Sequence, residues 1–346
     1  MSVSVKHAIT STLKGLTQKA AYRAGIPAVV GTVRYDWEGA LGSLDIFFGH
    51  HVVADGDACG ELQAGQLYDR LMYLRRTREL VSLSEGLDWL QRPRRGSRLA
   101  AITFDDGYRD NLTLLLPVLE AAHAPATVFV ATGPVVDGGS MWFDLARCAL
   151  RRAGTKPLGL AWAPAPLQAQ QPAAYADKVM AYLQRCDPLV REKRVGELLR
   201  KAPAADPPVE PRHAVLTAQE LQALARHPLI SIGAHTHSHT VLDACDEATA
   251  RGELRENLQC LARLVGAPAR SFAYPRGLPQ DFSQRDQELL RDLGIEVAVT
   301  TRPGPNVPGT DPLALNRLPL GTGGVERFAW TVDVRPVARH AGSVLT

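Results

Sequence analysis

The chain has 346 residues, of which 45% are hydrophobic and 22% charged, and its formal net charge is +3. This length can bury a sizeable core, and the composition is that of an ordinary soluble globular protein rather than a disordered or fibrous one. Because the net charge is small, it gives no electrostatic reason to expect a nucleic-acid partner, and we predict none.

Residues 1–42 are predicted to form a helical extension that precedes the main domain, residues 43–346. Residues 1–25 carry several basic side chains and no apolar run long enough for a signal peptide, and no stretch of the chain is suited to span a membrane. Residues 13–23 fit a basic amphipathic helix; packing on the domain is favoured over contact with a membrane surface. The sequence therefore predicts a cytoplasmic protein, with peripheral contact at the inner face of the membrane as an alternative.

The five cysteines are odd in number and show no C-x-x-C spacing, so we expect free thiols in a reducing compartment. Nothing in the sequence indicates an oligomeric state.

Residues 44–48 are predicted to form the first strand, and His50 and His51 follow it. His51 is a candidate for the mouth of a site, although a strand-end histidine without chemistry is an equally open interpretation. Residues 66–80 and 84–90 show the apolar spacing of helices. The basic loop at 92–98 is interpreted as solvated, with an anionic contact as the alternative.

Residues 99–104 form a short apolar run that predicts a buried strand, and Asp105 and Asp106 follow it directly before Gly107. Two adjacent carboxylates at a strand end repel each other, and burying them is costly unless a cation lies beside them. A metal ion is the simplest cation that would stabilise this arrangement.

Helix 111–121 and strand 126–131 come next, and the alternation of strands with helices predicts a parallel sheet. In M-W-F-D (141–144), Trp142 could line a sugar groove or pack in the core. A helical insertion is predicted at about 145–212. Its segment 158–212 is flanked by Pro-rich linkers and reads as a helical hairpin, either a lid or a partner surface.

A second apolar strand, residues 229–233, leads into A-H-T-H-S-H. His235 and His239 are four apart, the spacing that places two imidazoles on one side of a helical turn, and His237 should point elsewhere. Two histidines and one carboxylate leave coordination positions open, as in catalytic metal sites. The other Asp is then available as a base toward the attacking water.

The remaining elements continue the alternation. The Thr217–Glu220 pair predicts a capping box at a helix start, and an apolar stripe predicts a helix that ends at Gly266. Strands are predicted at 271–274, 295–300 and 313–320, with a helix at 284–292.

Three motifs together resemble the polysaccharide deacetylase family, also known as carbohydrate esterase family four or the NodB-homology domain. They are T-F-D-D-G-Y (103–108), H-T-H-S-H (235–239) and F-A-Y-P-R-G (272–277), and the resemblance covers about residues 46–320. It implies a distorted (β/α) barrel with the site at the carboxyl ends of the strands. It also implies a divalent metal, Zn²⁺ first, with Co²⁺, Ni²⁺ or Fe²⁺ as alternatives.

The resemblance assigns Asp106, His235 and His239 to the metal, Asp105 to the general base, and the Tyr108 backbone N–H to the oxyanion. It also suggests residues that bind an N-acetylated amino-sugar substrate, and these are Trp142, Tyr274, Pro275, Arg276, Arg317 and His51.

The sequence departs from the family pattern at two points. Ala273 stands where well-studied members have Arg, so Arg276 or Arg317 would have to supply the positive charge. No histidine occurs between His239 and His340, where the family has its general acid. The proton donor could then be Asp105 after protonation, or one of three histidines, which are His50, His51 and His237.

The leading functional hypothesis is metal-dependent removal of an N-acetyl group from an amino sugar. A deformylase or an amidase acting on a related amide, a non-catalytic carbohydrate-binding protein, and less favourably a mononuclear iron oxygenase are the alternatives. Because the chain is predicted to be cytoplasmic, a glycan precursor, lipid-linked or soluble, is favoured over a finished wall polymer.

Overall fold

The structure is a computed structural model of the protein, and it describes residues 18–27, 42–57, 59–93, 97–156, 158–163 and 172–334. Most of the predicted N-terminal extension, part of the basic loop (94–96) and residues 335–346 lie outside this range. One helix of the extension is described, α1 (Gln18–Arg23). Its Tyr22 ring lies 6.0 Å from the ring of Tyr73, so this helix packs on the domain, as the favoured interpretation expected.

Parallel strands form the centre of the molecule. In chain order they are β1 (Ser43–Gly49), β2 (Val52–Val53), β3 (Leu62–Gln63), β4 (Glu79–Leu80), β5 (Arg98–Phe104), β6 (Ala126–Val130), β7 (Ile230–Ala234), β8 (Ser271–Ala273), β9 (Val297–Val299) and β10 (Leu318–Pro319). The main sheet has the order β10-β1-β5-β6-β7-β8-β9, with β4 beside β5, and every named pair in it is parallel. The predicted α/β class is confirmed.

The two edges of this sheet are joined by one segment. Leu315 forms a parallel bridge with Val299 of β9, and two residues of β10 pair with β1. The sheet therefore curls into a distorted barrel, as predicted. The predicted strand 313–320 is reduced to this bridge and the two residues of β10, because the chain crosses from one edge to the other here.

Side-chain alternation along the strands separates two cores. Leu99 and Ala101 of β5 point into the barrel, where they meet apolar residues of the other strands. Ala100, Ile102 and Phe104 point outward and pack against the helices. By the same alternation, the residue that follows Phe104 points into the barrel.

Most of the helices lie outside the barrel, but the helix that contains Leu83, Leu87 and Leu90 packs with the interior residues. In chain order after α1, the helices are α2 (Ala64–Thr77), α3 (Leu83–Gln91), α4 (Leu116–Ala122), α5 (Thr132–Asp137), α6 (Trp142–Ala153), α7 (Pro172–Gln184), α8 (Pro188–Lys201), α9 (Ala218–Ala225), α10 (Glu247–Val265), α11 (Gln284–Asp292) and α12 (Val325–Ala329). The predicted capping box at Thr217 and the end of α10 at Gly266 are both present. In the part of the chain that the structure describes, no helix is both long enough and apolar enough to cross a bilayer.

The insertion contains more than the predicted hairpin. Helices α7 and α8 are joined by a short turn and pack with α6 around a core of their own, which includes Ala149, Val179, Leu183 and Leu198. The Pro-rich linker before α7 lies mostly outside the described residues. The insertion is thus a three-helix unit beside the barrel.

Candidate active site

Asp105 lies at the end of β5 and points into the mouth of the barrel. Its backbone N–H donates to the carbonyl of Gly49, 3.0 Å away, and its carboxylate receives two hydrogen bonds from Arg317, at 2.8 and 2.7 Å. The guanidinium of Arg317 is fully buried. The positive charge that the sequence left open between Arg276 and Arg317 therefore comes from Arg317 in the described structure.

This pairing keeps Asp105 ionised. Burial raises the pKa of the Asp105 carboxyl, but the Arg317 charge and its hydrogen bonds outweigh burial and hold the pKa below its ordinary value. Arg317 is therefore not free to contact a substrate, so its prediction as a substrate-binding residue is wrong. Its buried guanidinium donates to Asp105, to the Thr103 hydroxyl and to the Thr300 carbonyl.

A sharp turn separates the two adjacent aspartates. Asp106 has φ 76° and Gly107 has φ 81°, two successive left-handed residues. The left-handed conformation is unfavourable for a non-glycine residue, and such strain concentrates at functional sites. The turn directs the Asp106 carboxylate away from Arg317 and toward the loop after β7.

His235 and His239 lie on that loop, which is not helical. Thr236 and His239 both have positive φ, 60° and 53°, and the Thr236 hydroxyl accepts a hydrogen bond from the Thr240 N–H, 2.8 Å away. The prediction that the histidines share a helical turn is wrong. The loop nevertheless brings the two rings together, with their centroids 4.9 Å apart.

The three predicted ligands converge. The Oδ1 atom of Asp106 lies 3.4 Å from His235 Nε2 and 3.3 Å from His239 Nε2, and it has no hydrogen-bond partner although it is buried. His235 Nδ1 lies 2.7 Å from the Ala273 carbonyl oxygen, which leaves Nε2 free to act as a ligand. The donor set of two imidazoles and one carboxylate, with ligand atoms within 4.8 Å of one another, fits a divalent metal ion.

The electrostatics of the group favour a cation. Burial raises the pKa of Asp106, but the two imidazoles outweigh burial and hold the carboxyl ionised. Burial lowers the pKa of His239 to about 3, so this ring is neutral. Burial also lowers the pKa of His235, yet the neighbouring carboxylates outweigh burial and raise it. A carboxylate beside a neutral imidazole is a combination that metal binding stabilises.

Two buried residues from other elements hold the loop. Asn257 of α10 accepts a hydrogen bond from the His235 N–H and donates to the carbonyl of Val130. Arg191 of α8 donates from Nη2 to Ser238 O, Ser238 Oγ and Thr240 Oγ1, at 3.0, 2.8 and 2.9 Å. The insertion therefore forms hydrogen bonds to the residues on either side of His239.

The backbone of Tyr108 follows directly after the Asp106–Gly107 turn. It forms an antiparallel bridge with Val215 as a non-hydrogen-bonded pair, since the bonds run from Arg109 N to Ala214 O and from Leu216 N to Gly107 O. Its own N–H points away from this bridge and donates to no described residue. This geometry is compatible with the predicted oxyanion contact.

The side chains around Tyr108 form a second polar group at the same end of the barrel. The His51 ring stacks on Tyr108 at a centroid distance of 3.7 Å, and its Nδ1 lies 2.6 Å from Asp110 Oδ2. The Tyr108 hydroxyl donates to Asp144, which also faces His213 at 3.9 Å. Burial lowers the pKa of His51, but the hydrogen bond and charge of Asp110 outweigh burial, and the pKa is raised.

Three other predicted substrate residues follow strand β8. Tyr274 is buried; its hydroxyl donates to the Leu313 carbonyl and its ring stacks on Phe282. Pro275 is buried beside it, and Arg276 points to Gln184 of α7, 2.8 Å away. The Tyr274 side chain therefore belongs to the core, which contradicts its prediction as a substrate contact, whereas Pro275 and Arg276 stay predictions.

Trp142 lies under the guanidinium of Arg191, 4.8 Å from it, so the structure favours the packing alternative. Its neighbour Phe143 lies closer to the predicted ligands, with its ring 4.9 Å from that of His239. His237 points away, as predicted, toward Thr132, Glu256 and Cys260.

Several residues of the site were not predicted from the sequence. These are Asp110, Asp144, His213, Phe143, Arg191 and Asn257. Asp110 could have been suspected from the sequence, because it is a further carboxylate only two residues after the T-F-D-D-G-Y motif. Phe143 and Asp144 belong to the M-W-F-D stretch, in which only Trp142 was singled out. His213, Arg191 and Asn257 lie far away in sequence, and nothing local marks them.

Comparison with known proteins agrees with this geometry. The profile of the family described as polysaccharide deacetylase matches residues 92–160 and 190–298, together just over half of the chain. The unmatched stretch between them contains α7 and so falls inside the insertion. No curated protein sequence matches this chain.

Several solved structures share the fold. The Streptococcus pyogenes deacetylase PplD in complex with acetate aligns with a TM-score of 0.55 at 16% identity, covering 84% of this chain and 97% of that one. IcaB from Ammonifex degensii gives 0.54 at 18% identity, covering 83% and 95%. The BpsB deacetylase domain from Bordetella bronchiseptica gives 0.50 at 17% identity, covering 81% and 96%. At these identities the likeness establishes the fold alone.

Proposed function

Because this chain belongs to the polysaccharide deacetylase family, we propose that it is a metal-dependent hydrolase that removes the N-acetyl group from an amino sugar in a glycan or glycan precursor. One observation carries the proposal. His235 and His239 converge on the Oδ1 atom of Asp106, which is buried and has no hydrogen-bond partner, and Asp105 stays ionised beside these three residues. A structural ion pair would not leave that oxygen unsatisfied.

In this proposal Asp106, His235 and His239 hold the divalent cation. When bound, the cation supplies Lewis-acid polarisation of the scissile carbonyl and of the attacking water. Zn²⁺ suits the two-imidazole, one-carboxylate donor set, and Co²⁺, Ni²⁺ and Fe²⁺ are alternatives for the same ligands.

Residues of the chain then transfer the protons and stabilise the developing negative charge. Asp105 accepts a proton from the attacking water, and Arg317 orients its carboxylate and keeps it ionised. The backbone N–H of Tyr108 donates to the developing oxyanion. Breaking the C–N bond releases acetate and an amine that needs one proton.

We assign that proton to His51 among the donors that the sequence left open. Asp105 is a poor acid, because Arg317 lowers its pKa. His50 is exposed, and His237 faces the other side of the loop. His51 stacks on Tyr108, and Asp110 raises its pKa and orients it, so it can be protonated at neutral pH.

The test is release of acetate from an N-acetylglucosamine oligomer by the purified protein, measured together with bound metal. We expect activity that a chelator abolishes and that Zn²⁺ or Co²⁺ restores. His235→Ala and His239→Ala should lose this metal, whereas His237→Ala serves as the matched control and should keep it. Measuring formate in the same samples tests the deformylase alternative, and absence of any acyl release from a metal-loaded protein would overturn the proposal.

We further propose that the substrate is a biosynthetic intermediate met in a reducing compartment. The five cysteines are free thiols in the structure, which supports this setting without identifying it. Separating cell fractions and probing for the protein would test the localisation.

A further inference from the structure

Arg70 of α2 is a buried cation that has no ionic partner among the described residues. Its side chain has no exposed surface, and its Nη2 donates to the Gly323 carbonyl, 2.7 Å away. Its Nε and Nη1 have no hydrogen-bond partner. Within the described residues, no carboxylate lies within ion-pair distance of it; the nearest acidic influence comes from Asp69, which is exposed.

Such a group is costly for the fold. Transfer of a charged side chain out of water without a partner is strongly unfavourable, and native proteins normally pair or neutralise it. Burial lowers the pKa of Arg70 only to about 10, so the guanidinium remains charged at neutral pH. The surface of the Phe328 ring, 5.5 Å from the guanidinium, compensates weakly.

A cavity of about 750 Å³ has Arg70 among its lining residues. The cavity is lined by a second arginine, by two hydroxyl side chains and by an indole ring, and the residues concerned are Arg70, Arg327, Thr322, Thr331 and Trp330. No acidic side chain belongs to its described lining. The volume is in the range of small-molecule sites.

From this juxtaposition we propose that the cavity between α2 and α12 binds an anionic ligand of sugar-phosphate or sugar-acid size. Arg327, which is exposed, contacts its phosphate or carboxylate group, and the buried charge of Arg70 attracts that group from behind the cavity wall. Guanidinium groups bind both anions with charge-assisted hydrogen bonds, the hydroxyls of Thr322 and Thr331 add donors, and Trp330 offers an aromatic face to a sugar ring. The lining of this cavity contains none of Asp106, His235 and His239, although its residues 320–322 follow β10 at the carboxyl end of the sheet.

The occupant would contact the segment that follows Arg317. The N–H of Leu320 donates to the Phe48 carbonyl, and the guanidinium of Arg317 lies over the Phe48 ring at 4.7 Å. Binding therefore involves the strand that orients the Asp105 partner, from the outer side of the barrel.

Thermal unfolding of the full chain with added anion tests the proposal. Inorganic phosphate and glucuronate are titrated separately at constant ionic strength made up with sodium chloride. We expect one of them to raise the Tm of the wild-type protein by about 2–4 °C at tens of times its Kd. A response to phosphate alone identifies a phosphate site, and a response to glucuronate alone identifies a carboxylate site.

Arg70→Met and Arg78→Met are the paired variants. Arg70→Met removes an unpaired buried charge, so its Tm without anion should equal or exceed that of the wild type, and its response to the anion should be lost. Arg78 is buried but paired with Asp45 and Asp333, so Arg78→Met should lower the Tm and keep the response.

Two results would overturn the proposal. One is the absence of a shift in the wild type with either anion, and the other is an equal shift in Arg70→Met. Neither result depends on acetate release, so the failure of this inference is distinguishable from the failure of the proposed deacetylase activity.

Discussion

Two buried groups of charged residues lie at opposite ends of the same sheet. At the amino ends of the strands, Arg78 pairs with Asp45 and Asp333, and Arg98 pairs with Asp333 as well. The Tyr73 hydroxyl also donates to Asp333. The charges in this amino-end network balance, and no side-chain atom of these five residues is buried without a partner.

At the carboxyl ends, by contrast, two buried polar atoms have no hydrogen-bond partner. Arg317 neutralises Asp105, but Asp106 faces two imidazoles, of which His239 is neutral. The Asp106 Oδ1 and His239 Nδ1 atoms are buried without partners, and Asp106 and His239 have left-handed backbones.

This comparison indicates that the amino-end network serves stability and that the carboxyl-end group serves function. The amino-end network has all its hydrogen bonds satisfied, so it can be buried, and it joins the C-terminal segment to the sheet. The strained and unsatisfied carboxyl-end group is expected to persist only if binding of a ligand stabilises it. In parallel α/β barrels the carboxyl ends carry the chemistry, and the amino ends serve stability. The following substitutions test this division.

Asp105→Asn should have the largest effect on catalysis. Asn keeps a hydrogen bond to Arg317 but cannot accept the proton of the attacking water, so we expect turnover to fall by about 10²–10⁴-fold with the metal retained. Acetate release and metal analysis on the same sample measure both quantities. Full activity, or loss of metal together with activity, would remove Asp105 from the role of base.

Asp333→Ala should have the largest effect on stability. It leaves the guanidinium of Arg78 buried with one of its two carboxylates removed, at a cost of about 3–5 kcal/mol in the free energy of unfolding. Denaturant unfolding measures the loss. Activity per folded molecule should be unchanged, and Glu296→Gln, at the exposed pair with Arg270, should change stability by less than about 1 kcal/mol.

The pH dependence of stability has a defined sign at Asp333. Burial raises its pKa, but Arg78 and Tyr73 outweigh burial and lower it below the unfolded value. A group with a depressed folded pKa contributes stability above its unfolded pKa and loses it as the pH falls through its folded pKa. Wild-type stability should therefore fall on acidification more steeply than that of Asp333→Ala.

Arg191→Ala should lower the affinity for the metal, although Arg191 is not one of the predicted ligands. The substitution removes three hydrogen bonds to Ser238 and Thr240, so the His239 loop loses its support, and we expect metal affinity to fall by about 10–100-fold. Competition with a chelator measures it, and Arg191→Lys should restore part of the affinity. Arg194→Ala is the control, because Arg194 lies on the same helix but over Trp162. An equal loss of metal affinity in this variant would mean that the affinity depends on the stability of the insertion and not on the hydrogen bonds of Arg191.

Asp110→Asn should give the smallest effect, visible mainly in the pH profile. If His51 donates the proton, kcat falls as the pH rises through the pKa of His51, which Asp110 raises. Removing that charge should move the alkaline limb to lower pH and leave the rate at low pH nearly unchanged. His50→Ala should leave the limb in place, and an unmoved limb in Asp110→Asn would exclude His51 as the acid.

The sequence alone was sufficient to predict strands β1 and β5 to β9, most helices, and the convergence of the three residues that we predict to bind the metal. Strand β5 and helix α11 follow from local apolar patterns, and the ligands follow from motifs in which Asp106, His235 and His239 stand at strand ends. Strand ends of a parallel sheet meet at one edge, so local sequence is enough to bring these side chains together.

Only the tertiary structure decided which groups surround those ligands. Arg317 reaches Asp105 across 212 residues of sequence, and Arg191 reaches the His239 loop from the insertion. The helical turn predicted for the two histidines is replaced by a loop with left-handed residues, because contacts from Asn257 and Arg191 outweigh local preference. Charge pairing and burial depend on distances through space, and the sequence order of Arg70, Arg78, Arg191 and Arg317 does not show which of these buried cations has a carboxylate beside it.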